Sequence, residues 1–117
     1  CSSDLLHALA LLNDENYLDA ARALAIGSLR DAEGAGDPAS WLMRRVLGRA
    51  PRPAEQSVLR RELERARSHY RQSPGDARGF LARRGTVAPR ELDPAELASR
   101  AVLAGLVLNL DEAITHE

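Results

Sequence analysis

The sequence predicts an all-α fold: a compact bundle of about five or six helices around a buried C-terminal helix over residues 94–109. Three observations carry this. Hydrophobic residues make up 44% of the chain and aromatic residues only 3%. The core must therefore be leucine, alanine and valine, and the first two are good helix formers. No stretch sustains the period-two alternation of a half-buried strand. Three times a short polar residue stands directly before a proline: Asp37-Pro38, Ser73-Pro74 and Asp93-Pro94. In that order a side-chain oxygen can accept from the free amides of a first turn, and proline fills a position whose N–H is not needed. At 117 residues the chain makes a single domain over 1–117, large enough for a modest core.

Taken in order, Ser3 can cap a short helix from Asp4 to Leu12 with Leu5, Leu6, Leu9 and Leu12 on its apolar side. Asn13-Asp14 restarts the pattern, and either residue can cap a second helix running to about Glu33. Its core face is Leu18, Ala21, Leu24, Ala25 and Leu29, and Gly34 and Gly36 end it. Asp37-Pro38 opens a third helix whose inner side is Trp41, Leu42, Val46 and Leu47, with Gly48 as its C-terminal residue. The two-proline connector 49–53 stiffens the link to a helix over about 53–72, in which Leu59, Leu63, Ala66 and Tyr70 recur at helical spacing with Val58 beside them. Ser73-Pro74 caps a small fifth helix carrying Ala77, Phe80 and Leu81, ended by Gly85, and 86–92 is a loop.

The last helix organises the rest. Asp93 caps it, Glu96 is placed to complete a capping box, and Leu92 to staple onto Leu97. Leu97, Ala101, Ala104 and Leu108 form one face; Ala98, Val102 and Gly105 form the next; Leu103, Leu106, Val107 and Leu110 widen the apolar surface. A helix apolar on most sides is buried on most sides. Glu96, Arg100, Asn109 and Asp111 bracket an apolar stretch shorter than the about 20 residues a bilayer needs, so no membrane span is expected. After Asn109 the tail, residues 110–117, reads as a turn and a short end.

Charge is laid out unevenly. Every basic residue is arginine. Residues 41–90 hold 13 Arg and 4 acids, whereas the flanks hold 3 Arg and 13 acids, so the formal net charge is only −1. Two readings follow. Acidic and basic helices can pack against each other, helped by ladders such as Arg60–Glu64 and Glu62–Arg65. Alternatively, an anionic partner can lie along Arg60, Arg61, Arg65, Arg67 and Arg71, with Arg83 and Arg84 nearby. Near-absence of aromatics for base stacking, the balanced net charge and the lack of a nucleic-acid motif argue against nucleic acid as that partner.

Signatures of chemistry are sparse. His7, His69 and His116 form no metal-spaced pair, and no cysteine cluster supports a zinc site, so no metal and no cofactor is expected. No elbow, triad or glycine-rich phosphate loop is present, and no catalytic residue is assigned. The acid pairs Asp14-Glu15 and Asp111-Glu112, with Asn13 and Asn109 beside them, mark an edge where other chain could dock. Their ordinary role is helix capping. Cys1-Ser2-Ser3 resembles the start of a mature bacterial lipoprotein, and a truncation boundary explains it equally well.

Three ordered segments add a resemblance. They are residues 8–14 (ALALLND) with 20–25 (AARALA), residues 46–55 (VLGRAPRPAE), and residues 92–98 (LDPAELA) running to 108–112 (LNLDE). In this order they resemble the C-terminal part of the planctomycete-type PSD-one domain, the domain of unknown function fifteen-fifty-three. The resemblance implies a module that closes a large, multi-domain, exported bacterial protein of the cell envelope, with a c-type haem region and sugar-binding-like modules upstream. The chain itself has no CxxCH haem motif. Where the family shows Thr-Pro-Leu-Gln the chain has Asp4-Leu5-Leu6-His7, and Arg52 stands in place of a small polar cap before Pro53. The family supplies no catalytic residues to transfer.

The functional expectation is a non-catalytic helical module that contacts the upstream domains of a larger protein, or pairs with itself through exposed apolar surface. One alternative is an enzyme part in which Asp14, Glu15, Asp111 and Glu112 line a carbohydrate-acting site completed upstream, since glycoside chemistry needs paired carboxylates. The other is anion or nucleic-acid binding through the arginine-rich helix 53–72, along its Arg60–Arg71 face.

Overall fold

The computed structural model describes residues 15–82 and 89–115, with side chains over 18–82 and 89–110. Within them the chain forms six helices and no strand: α1 (Glu15–Arg30), α2 (Ala32–Gly36), α3 (Pro38–Leu47), α4 (Pro53–Gln72), α5 (Pro74–Leu81) and α6 (Pro94–Thr115). The expected first helix at 4–12 and the expected stop at Gly85 lie outside the described residues.

Helix α6 is the hub. It packs most extensively on α1, then on α4 and α5, and also on α3. Every residue from Leu97 to Val107 is buried, so the expected core helix is found with its apolar faces enclosed. Asp93 opens it as expected: its Oδ2 accepts from the Glu96 N–H at 3.1 Å. The helix does not stop at Asn109 but continues to Thr115. Residues 110–115 contain neither glycine nor proline, so nothing local opposes its extension. The expected Asn109–Glu112 turn is therefore helical.

The other helices supply one face each. From α1 come Leu18, Ala21 and Ala25; from α3, Ala39, Leu42 and Met43; from α4, Leu59, Leu63, Ala66 and Tyr70; from α5, Ala77, Phe80 and Leu81. The aromatic rings of Tyr70 and Phe80 stack across α4 and α5 with centroids 6.1 Å apart. Trp41, Val46 and Leu47 pack against this core half-buried, and Met43 replaces them on the inner side of α3.

Local signals set several boundaries. Asp37 caps α3, taking the Ser40 N–H on Oδ1 at 3.3 Å and the Ser40 hydroxyl on Oδ2 at 2.8 Å. Gly48 closes α3 at φ 74°, the left-handed region that glycine enters without strain. At α4 the cap is inverted. Arg52 offers no side-chain acceptor, and Glu55 instead reaches back to the Arg52 N–H at 2.8 Å. Ser73 occupies the cap position of α5 without a side-chain cap bond, so its hydroxyl does not play the expected part.

One expected helix is two. The reading that ran to Glu33 meets a break at Asp31, whose Oδ1 caps α2 through the Glu33 N–H at 2.9 Å. The reason is tertiary. Gly34 is pressed onto the end of α1, and a Cβ there would stand 2.4 Å from the Ser28 carbonyl oxygen. Only glycine allows the chain to fold back this tightly.

Candidate functional site

The expected arginine face divides by geometry. At 100° per residue, Arg60, Arg67 and Arg71 share one side of α4, whereas Arg61 and Arg65 point away from the core stripe. Arg67 is drawn inward. Its Nε and Nη2 donate to Glu96 Oε1 and Oε2 at 2.9 and 2.7 Å, and its Nη1 to Glu64 at 2.5 Å. The expected Arg60–Glu64 ladder is thereby replaced by Arg67–Glu64. The expected Glu62–Arg65 pair is present at 3.5 Å, with Glu62 buried. Five arginines do not make one binding face.

Arg67 begins a charge relay into the core. Glu96 does not turn back to its own cap. Its carboxylate takes Arg67 on one side and the Nε of Arg100, at 2.7 Å, on the other. Arg100 is only 4% exposed. Its Nη1 donates to Gly34 O at 2.8 Å and to the carbonyl and hydroxyl oxygens of Ser28 at 3.3 Å, and its Nη2 to Ala35 O at 3.3 Å. Carbonyls near helix C-termini lack intrahelical partners, and this guanidinium supplies donors for the ends of α1 and α2 together. Arg22, 6% exposed, does the same for α5 by donating from Nη1 to Leu81 O at 2.9 Å. Burial pushes the Glu96 carboxyl upward, but the two guanidiniums outweigh it and hold the group below its ordinary range.

A shallow cleft of about 270 Å³ lies where the start of α3 meets α4, lined by Gly36, Asp37, Arg60, Leu63, Glu64 and Arg67 among others. It is slightly smaller than the about 300–1,000 Å³ of small-molecule sites. Its polar groups are largely engaged: Asp37 Oδ2 also accepts from Gln56 Nε2 at 3.2 Å, and Glu64 and Arg67 bind each other. Burial raises the Asp37 carboxyl, yet the Ser40 and Gln56 hydrogen bonds and the nearby Arg60 charge leave it net lowered.

The acidic edge is mostly beyond description. Asn13 and Asp14 lie outside the described residues. Glu15 opens α1, and Asp111 and Glu112 lie within the last turns of α6, with no side-chain description for any of the three. Asn109 is half-buried. His7 and His116 lie outside the described residues. His69 is exposed, with Nε2 3.4 Å from Asp76 Oδ2. Among the described residues no three His, Cys, Asp or Glu side chains are grouped as for a metal ion, and no helix is long and apolar enough to cross a membrane.

The outer surface carries the remaining charge. Arg44, Arg52, Arg60, Arg61, Arg71 and Arg78 are exposed, and none forms a salt bridge among the described residues. The acids of the same region are engaged: Glu55 holds Arg49 through two bonds of 2.8 and 2.9 Å, and Glu62 and Glu64 pair as above. An exposed apolar patch for self-pairing is not found among the described residues, where Val58, 38% exposed, is the one large hydrophobic side chain on the outside.

The buried Arg100 and Arg22 escaped the sequence reading. The available signal was Glu96 and Arg100 four residues apart, inside a helix apolar all round. A charge at such a position must find partners. Compared with family models, curated proteins and solved structures, the chain finds no match.

Proposed function

We propose that this chain is a non-catalytic helical interaction module that holds an acidic protein surface through its exposed arginines, as the closing module of a larger cell-envelope protein. One observation carries the reading: Arg44, Arg60, Arg61, Arg71 and Arg78 on α3, α4 and α5 stand in solvent without salt bridges among the described residues, while Glu55, Glu62 and Glu64 are turned to Arg49, Arg65 and Arg67. The resemblance to the PSD-one domain supplies the setting, with upstream domains of the same protein as the nearest partners.

The test is retention of the folded chain on immobilised polyglutamate at low and physiological salt, beside the triple variant Arg44→Glu, Arg61→Glu, Arg71→Glu. Retention that weakens with salt, as screening requires, and vanishes in the variant supports the module. Equal retention of both proteins, or none at low salt, removes it.

A further inference from the structure

Helix α4 has a second stripe. Its inner stripe, Leu59, Leu63, Ala66 and Tyr70, is buried in the core. On the opposite side Val58, Arg61, Arg65, Ser68 and Gln72 are all exposed. At 100° per residue these five fall within a sector of about 80°. Their spacing alternates three and four residues, the interval at which one helix lays a seam against another. The single large exposed hydrophobic among the described residues, Val58, stands at one end of this stripe, and two arginines follow it.

The charges choose the occupant. A second copy docked on the same stripe would set arginines against arginines, and like charges across a seam repel. Among the described residues no tyrosine, phenylalanine or tryptophan ring is exposed for a base to stack on: Tyr70 and Phe80 are buried, and Trp41 is half-buried with the Arg45 guanidinium 4.8 Å from its ring centre. The net charge of −1 gives a phosphate backbone little long-range attraction. A helix bearing carboxylates at the facing positions would meet Arg61, which has no salt bridge among the described residues, and Arg65, whose Nη1 also contacts the buried Glu62 at 3.5 Å; one apolar side chain would cover Val58. We infer that the Val58–Arg61–Arg65–Ser68–Gln72 stripe of α4 is a docking seam for an acidic, helical protein segment; this rests on the interaction-module reading and names its surface and partner. The seam runs over residues 58–72 of α4, about 21 Å at 1.5 Å per residue. Its two arginines are exposed, so the affinity is modest and falls with salt.

The experiment uses the folded chain and a synthetic stapled helix of three heptads, with glutamate at both seam positions and one leucine placed to meet Val58. Binding is followed by fluorescence anisotropy at two salt concentrations. Arg61→Glu with Arg65→Glu is expected to weaken binding at least tenfold, about 1.4 kcal/mol. The neutral pair Arg61→Gln with Arg65→Gln is expected to weaken it less. Arg90→Glu, an exposed site outside α3, α4 and α5, is expected to leave it within about twofold. Circular dichroism checks that each variant is folded, and the neutral pair carries the test should the reversed pair not fold. Loss of binding in Arg44→Glu with Arg45→Glu on α3, with the α4 variants unaffected, overturns the seam and leaves the module reading standing. A glutamate helix and polyglutamate that both fail to bind wild type overturn both. Tighter binding of single-stranded DNA than of the peptide overturns the choice of partner.

Discussion

Replacing Arg100 with methionine keeps the unbranched stem of the side chain and removes its guanidinium donors. In the folded protein the guanidinium makes five hydrogen bonds, one to Glu96, two to Ser28 and one each to Gly34 and Ala35. The substitution leaves four acceptors on α1 and α2, three of them buried, short of a donor and removes one of two cations from Glu96. Breaking a buried pair by deleting one partner costs about 3–5 kcal/mol. Because Arg67 still binds Glu96, the lower end applies, about 3 kcal/mol. At the usual unfolding entropy per residue, a domain of this size loses roughly 4 °C per kcal/mol, so the midpoint should fall by about 12 °C. Urea and thermal unfolding followed at 222 nm measure the change. The denaturant slope should stay constant, since the surface exposed on unfolding is unchanged. A double-mutant cycle with Glu96→Gln should show coupling above about 0.5 kcal/mol. A loss below about 1 kcal/mol with no coupling would refute the assignment of Arg100 as the tie between α6 and the α1–α2 corner.

Three further outcomes follow from named contacts. Gly34→Ala places a Cβ 2.4 Å from the Ser28 carbonyl oxygen, backbone against backbone; it should destabilise by about 1–3 kcal/mol, as overpacked sites do, and a neutral result in urea unfolding would show that the α1–α2 turn is looser than described. Asp93→Ala removes the cap of α6 and should cost about 1 kcal/mol, with Asp93→Asn close to wild type; the contrast between the two is the check. The hydrogen bonds from Arg49, and then from the Arg52 N–H, hold the Glu55 carboxyl down at about 2, against 4.5 for a free group. A carboxyl lowered by folding stabilises the protein above its unfolded value, and that contribution disappears as pH falls through the folded one. The acid limb of stability between pH 4.5 and about 2 should be shallower in Glu55→Gln, and an unchanged limb would show that Arg49 does not hold the group.

Where structure is local, the sequence is an accurate guide. Helices α3 and α4 start at their prolines and end at Leu47, just before Gly48, and at Gln72, because the stop and start chemistry lies within a turn of each boundary. The apolar stripe of α4 and the enclosed faces of α6 follow from spacing alone. The break at Asp31 is different. It depends on Gly34 meeting Ser28 and on Arg100, 66 positions from Gly34 in the sequence, collecting the carbonyls. Nothing within a helical window announces that contact. Glu96 illustrates the same limit: its position fits a capping box, but Arg67, 29 residues away, is the stronger partner for a half-buried carboxylate. The arginine face was partly legible, since helical spacing already separates Arg61 and Arg65 from Arg60, Arg67 and Arg71. Which of them would be tied inward was not, because Glu96 lies on another helix.

The account stands on α6 being the enclosed centre of the bundle. Native-state amide hydrogen exchange tests this most directly. If it is right, the amides of residues 97–107 exchange slowest in the protein, opening only with global unfolding, while those at the exposed turns around 50–52 and 90–92 exchange orders of magnitude faster. If the amides of 97–107 exchange as fast as those turns, α6 is a surface helix and the packing described here is wrong.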